Sequence, residues 1–99
     1  MNFKELESSV IEWAKEKGIL EKATTKAQVE KTQEELDELK EAIRNGDYVG
    51  IIDGIGDCTV TLIIQAEMNG LSFEECLEYA YNQIKNRTGK MIDGQFKKD

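Results

Sequence analysis

Five acidic residues in two short stretches are the side chains best able to do chemistry in this sequence. Glu34, Glu35 and Glu38 lie in Lys31-Thr32-Gln33-Glu34-Glu35-Leu36-Asp37-Glu38-Leu39, and Asp53 and Asp57 in Asp53-Gly54-Ile55-Gly56-Asp57. Both stretches read as helical, and residues three or four apart on a helix share a face. Glu34 and Glu35 thus each reach Glu38, and Asp53 stacks one turn from Asp57. Like charges at that spacing repel, so something must offset them. A hard divalent cation such as Mg²⁺ does so by taking carboxylate oxygens. Histidine is absent, which removes His-based triads, His general bases and most zinc sites. Carboxylates, Lys, Arg, Tyr and Asn remain.

Four helices are predicted to position these groups. The first runs from about Asn2 to Lys17, with Phe3, Leu6, Val10 and Trp13 stepping by three and four, and Gly18 as its C-terminal cap. The second begins near Thr25, where Thr25-Lys26-Ala27-Gln28 fits a capping box, and ends at Asn45-Gly46. Its apolar seam is Val29, Thr32, Leu36, Leu39 and Ile43, with Gln28, Lys31, Glu35, Glu38 and Ala42 forming a stripe at the shoulder of the core. The third, from Asp47 to Asn69-Gly70, is apolar on several sides, as the most buried helix would be. The fourth opens on a capping box at Ser72-Phe73-Glu74-Glu75 and runs to about Arg87. Asp93-Gly94 then marks a tight turn or hairpin.

On the third helix Asp53 and Asp57 continue a face that becomes apolar at Val60 and Ile64. Half-buried carboxylates are costly unless paired or bound to metal. Gly54 and Gly56 in the same turn each cost about 1 kcal/mol against alanine, and close approach of another helix or a ligand is the natural reason. Glu-Glu-x-x-Glu alone also occurs on solvated faces. A calcium-binding EF-hand is the rival, but neither stretch has the alternating oxygen ligands of its loop.

Ninety-nine residues, 39% hydrophobic and 33% charged, imply one domain spanning 1–99. The net charge of −7 argues against nucleic acid polymers as partners. No apolar run approaches the roughly 20 residues needed to span a bilayer, and the N-terminus lacks a signal-peptide core. The expected location is the cytoplasm, with no membrane. Cys58 and Cys76 read as buried, reduced thiols. Asn82, Lys85, Arg87 and Lys90 either complement the end of the fourth helix or meet phosphate oxygens. Trp13 is spaced as a core residue, although an edge-exposed Trp can stack on a base. Lys31 and Gln28 either contact a substrate or are surface residues.

Taken together, the two acidic stretches, the apolar run Val60 to Ile64 and Tyr81-Asn82-Gln83-Ile84-Lys85-Asn86-Arg87-Thr88-Gly89-Lys90-Met91 with Gly94 and Phe96 resemble the MazG-like all-α nucleoside triphosphate pyrophosphohydrolases, over roughly residues 8 to 98. The ending is similar to small members from phages and prophages. The resemblance implies a four-helix bundle completed by oligomerisation to a homodimer or homotetramer, with the cleft shared between subunits. It implies hydrolysis of a (d)NTP to (d)NMP and pyrophosphate, with Mg²⁺ or Mn²⁺ held by Glu35, Glu38 and Asp57, and by Asp53. Glu34 would bind a second ion or orient the attacking water, so Glu34 and Glu35 carry the catalytic roles. Lys85, Arg87 and Lys90 would steady the triphosphate, with Asn82 on sugar or phosphate and Lys31 also on substrate. One departure stands out. The family's second motif is usually Glu-x-x-Asp, but Gly54 precedes Asp57 by three and the acid is Asp53, which leaves the ligand set open there. The competing reading is a non-catalytic acidic helical module, a phage accessory or regulatory protein that binds another protein.

Overall fold

The computed structural model describes residues 1–99. Five helices are followed by a two-stranded hairpin: α1 (Phe3–Glu16), α2 (Ile19–Lys22), α3 (Thr25–Arg44), α4 (Tyr48–Met68), α5 (Phe73–Ile84), β1 (Gly89–Ile92) and β2 (Gln95–Lys98). The all-α class, the four long helices and the C-terminal hairpin agree with the sequence. The single turn α2, just after Gly18 at φ 77°, was not foreseen.

Local chemistry sets the ends. Asn2, Thr24, Asp47 and Ser72 cap α1, α3, α4 and α5, each side chain accepting from a first-turn amide. The cap of α3 is Thr24, one residue before the predicted start. Gln28 is therefore not the second half of a capping box. At Ser72 the box is complete, with Glu75 Oε1 accepting from the Ser72 amide at 2.6 Å. The hairpin turns at Asp93 (φ 51°) and Gly94 (φ 80°), both left-handed as a two-residue type I′ turn requires.

α3 and α4 form an antiparallel pair that is the centre of the molecule. Three contacts fix their register. Gln28 Nε2 donates to the Thr61 carbonyl at 3.1 Å, Leu39 packs on Gly54, and Ala42 packs on Gly50. At Gly54 a Cβ would stand 3.0 Å from Leu39 Cβ and 3.1 Å from Leu39 Cα, so the helices approach there only because glycine has no side chain. A Cβ on Gly56 would meet nothing within 4 Å. Close approach accounts for Gly54 and leaves Gly56 without a contact that requires it.

The face that α3 turns to α4 is Gln28, Thr32, Glu35, Leu39 and Ala42, one position round from the predicted seam. Val29, Leu36 and Ile43, expected in the core, are exposed. α1 does the same: Glu7 and Ala14 are buried, while Phe3, Leu6 and Trp13 are about half exposed. On α4, Ile52, Ile55 and Leu62 also face outward. Only 9 of 99 residues are buried, far fewer than a domain of this length normally manages alone. Small and polar residues thus make the contacts between α3 and α4, Ile63 and Ile64 are the large apolar side chains that are buried, and many of the others lie on outer shoulders. α4 is also long and apolar enough, by length and composition, to cross a membrane. A reading based on uninterrupted runs passes over this because Asp53 and Asp57 break the run.

Glu7, which no pattern in the sequence singled out, is the buried acid of α1. Its Oε2 accepts from the Glu74 amide at 3.3 Å and so ties α1 to the start of α5. Phe3 and Phe73 add a tilted ring contact with centroids 6.0 Å apart.

Candidate metal centre

The register of α3 against α4 sets the acids opposite one another. Glu35 lies between Gln28 and Leu39 on the face of α3, and Asp57 lies between Gly54 and Thr61 on the matching face of α4. Both are half-buried, whereas Glu34, Glu38 and Asp53 are exposed. Asp57 lines two acidic clefts and an apolar groove shared with Leu6, Val10 and Trp13 of α1. On one side it joins Glu38, Asp53 and Gly54. On the other it joins Glu35, Lys31, Gln28 and Trp13.

These carboxylates sense one another. Glu38 is pushed above its ordinary range chiefly because its protonated form hydrogen-bonds to Glu35, and next by the Glu35 charge. Burial is the main cause that raises Asp57, followed by the charges of Asp53 and Glu35. Cys58 is raised by burial and then by Glu35 and Asp57, which keeps its thiol protonated and unreactive. Both cysteines are free and half-buried rather than fully buried. Glu35 Oε2 is shielded from solvent and has no hydrogen-bond partner. Its Oε1 pairs with Lys31 Nζ at 3.3 Å, and Lys31 also stands 3.6 Å from Glu34. Lys31 is in turn raised by its bond to Glu35 and the charges of Glu34 and Glu35.

The donor set, all carboxylate oxygen with one buried oxygen unpartnered, suits a hard divalent cation. No three of these acids close into a ready cage for an ion. They form two pairs, Glu35–Glu38 and Asp53–Asp57, linked by Glu35 and Asp57.

A pH dependence follows from the two raised acids. A folded pKa above the ordinary value contributes stability fully present below the ordinary carboxylate range, and loses it as pH rises through the raised value. In chelator, Glu38 and Asp57 therefore weaken the fold at neutral pH relative to mildly acid pH. Lys31 is charged throughout that window and adds no slope. The melting temperature should rise more on adding Mg²⁺ at pH 7.5 than at pH 5. Equal shifts at both pH values would show that the cation does not engage these acids.

Of the remaining candidates, Gln28 and Trp13 stand at these clefts and the others do not. Gln28 is buried, its amide spent on Thr61. Trp13 is 45% exposed on the groove beside Asp57, not in a core. Asn82, Lys85, Arg87 and Lys90 are exposed at the end of α5 and in the hairpin, and line neither cleft. The two acidic clefts measure about 270 and 200 Å³ and the apolar groove beside Asp57 about 340 Å³, so each acidic cleft alone falls below the roughly 300–1,000 Å³ of small-molecule sites. A nucleotide needs further walls.

The family model for the MazG nucleotide pyrophosphohydrolase domain matches residues 23–92, which takes in both acidic stretches, α5 and β1. No curated protein and no solved structure matches the chain.

Proposed function

This chain belongs to the MazG nucleotide pyrophosphohydrolase family, and from that premise we propose that it is a Mg²⁺-dependent enzyme converting a (d)NTP to (d)NMP and pyrophosphate. The observation that carries this reading is the placing of Glu35 opposite Asp57 with an unpartnered, buried carboxylate oxygen between the helices. Glu35, Glu38, Asp53 and Asp57 would hold the cation, with Mn²⁺ an alternative. Bound there, it supplies charge neutralisation at the phosphates and a more acidic water. Glu34, exposed and one turn from Glu38, would take the proton of that water or hold a second ion. Lys31 would meet a phosphate oxygen.

The proposed active form is a homodimer or homotetramer. Val29, Leu36 and Ile43 on α3 and Ile52, Ile55 and Leu62 on α4 are its contact surface, and they are otherwise bare. A bilayer is the poorer cover for α4, since each aspartate at the centre of a span costs about 2.5–3.5 kcal/mol. In such an assembly Asn82, Lys85, Arg87 and Lys90 reach a neighbouring copy's cleft and supply the missing walls. The location is cytoplasmic, with no nucleic acid polymer as partner.

The test is a panel of NTPs and dNTPs with Mg²⁺, assayed for pyrophosphate. Release with at least one substrate, lost in chelator, is expected. The bare apolar faces would equally suit a different protein as partner, and no turnover across the panel would favour that non-catalytic module.

A further inference from the structure

We propose that Lys31 is a placeholder: its ammonium serves Glu35 as counter-ion, is displaced when a divalent cation binds Glu35, and is thereby released to the substrate's phosphates. This rests on the metal site proposed above and adds an order of events to it.

Lys31 makes the only ion pairs that any of the five acids has, at 3.3 Å to Glu35 and 3.6 Å to Glu34. Its side chain is 51% exposed and that of Glu35 only 12%. The ammonium therefore covers a largely buried carboxylate from the solvent side. The cover is incomplete, since Glu35 Oε2 has no partner. A lysine is a single point charge on a flexible stem. It compensates the cluster partly and can leave without disturbing the backbone. A divalent cation brings twice the charge and takes several oxygens at once. Two cations on one carboxylate repel, so a divalent cation arriving at the free Oε2 weakens the hold of Oε1 on Lys31. Lys31 is anchored on α3 one turn before Glu35 and lines the same groove as Asp57, Trp13 and Gln28. Once displaced, its ammonium stays within that groove, where an anionic substrate beside the metal would meet it. Arginine would grip the carboxylate with a two-pronged fork and resist displacement.

The experiment titrates Mn²⁺ by calorimetry, without nucleotide, into the wild type and the Lys31→Met, Lys31→Arg and Lys40→Met variants. Lys40→Met removes the same charge from an exposed position on the same helix. Lys31→Met should bind Mn²⁺ about threefold or more tighter than the wild type, Lys31→Arg more weakly, and Lys40→Met little differently. In the wild type, acetylation of Lys31 by a water-soluble acetyl ester, read by peptide mass spectrometry, should speed up about twofold or more on adding Mg²⁺ as the ion pair opens. Lys85 serves as the internal reference. Equal or weaker Mn²⁺ binding by Lys31→Met, or unchanged acetylation of Lys31, would overturn the placeholder while leaving the metal site standing. No Mn²⁺ binding by any variant would overturn both. Binding as expected without pyrophosphate release would remove the hydrolase reading and keep the placeholder.

Discussion

Asp57→Asn is expected to abolish pyrophosphate release and, at neutral pH in chelator, to melt at a higher temperature than the wild type. The two effects have one cause. Asp57 is the residue common to both clefts, and burial with the charges of Asp53 and Glu35 raises its pKa. Its ionised form is thus unfavourable in the fold until a cation arrives. Asparagine keeps the shape and removes that charge, so the metal-free protein gains. The same change deletes a ligand of the proposed cation. Losing one group that stabilises transition-state charge costs roughly 10²–10³-fold, and weaker metal binding multiplies the deficit. Glu38→Gln should lose activity likewise. It sits on the exposed rim, however, so its gain in metal-free stability should be smaller. Near-normal turnover in Asp57→Asn would show that the centre has been placed on the wrong residue. Lost turnover with a lowered melting point would instead mark Asp57 as structural.

The second large effect concerns Gly54, which stands where the family usually has glutamate. Gly54→Glu restores the usual acid and should break the pairing of α3 with α4. The first atom of the new side chain would fall 3.0–3.1 Å from three atoms of Leu39, one of them in the backbone. Neither helix can yield there without shifting the contacts at Gln28–Thr61 and Ala42–Gly50. Gly54→Ala alone should cost about 1–3 kcal/mol through overpacking, and glutamate more, because a carboxylate then enters a closed contact. Gly56→Ala should do the reverse and stabilise by about 0.5–1 kcal/mol, since its Cβ meets open space. Urea unfolding of the three variants reads these differences. If Gly54→Ala were as stable as the wild type, the close approach would not be what selects glycine. Asp53 is thus the acid this backbone can accommodate beside Asp57, set one position round the helix where there is room.

Much of the fold could be read from residue types because its boundaries are locally encoded. Ser72 with Glu75 and Asp93-Gly94 each specify a terminus or turn through a hydrogen bond or a backbone angle, whatever lies around them. The rotation of the helices could not be read that way. Periodicity finds the apolar side of α3, but it does not say which neighbour covers that side. Here the near neighbour takes Gln28, Glu35 and Ala42, because Gly50 and Gly54 let α4 come close. Hydrophobicity gives glycine and alanine little weight, so this contact leaves almost no trace in an apolar pattern. The acid pairs within each helix were legible from three- and four-residue spacing. That Glu35 faces Asp57 needed the register set by Gln28 and Thr61. The cations beyond Tyr81 carry no spacing signal that ties them to a cleft.

The mooring of α5 has its own consequence. No residue of α5 is buried, and its named tethers, the Glu7–Glu74 bond, the Phe3–Phe73 contact and the Ser72 box, all lie at its first turn. Beyond that turn its neighbour is α4, and with no buried side chain it belongs to the part of the molecule that unfolds locally at least cost. The cations at and beyond its tip, Lys85, Arg87 and Lys90, are all exposed. An exposed positive tip meets a negatively charged target early in an encounter. Subunit docking and the final arrest of this arm would then be one event, with the loss of its freedom drawn from the energy of association.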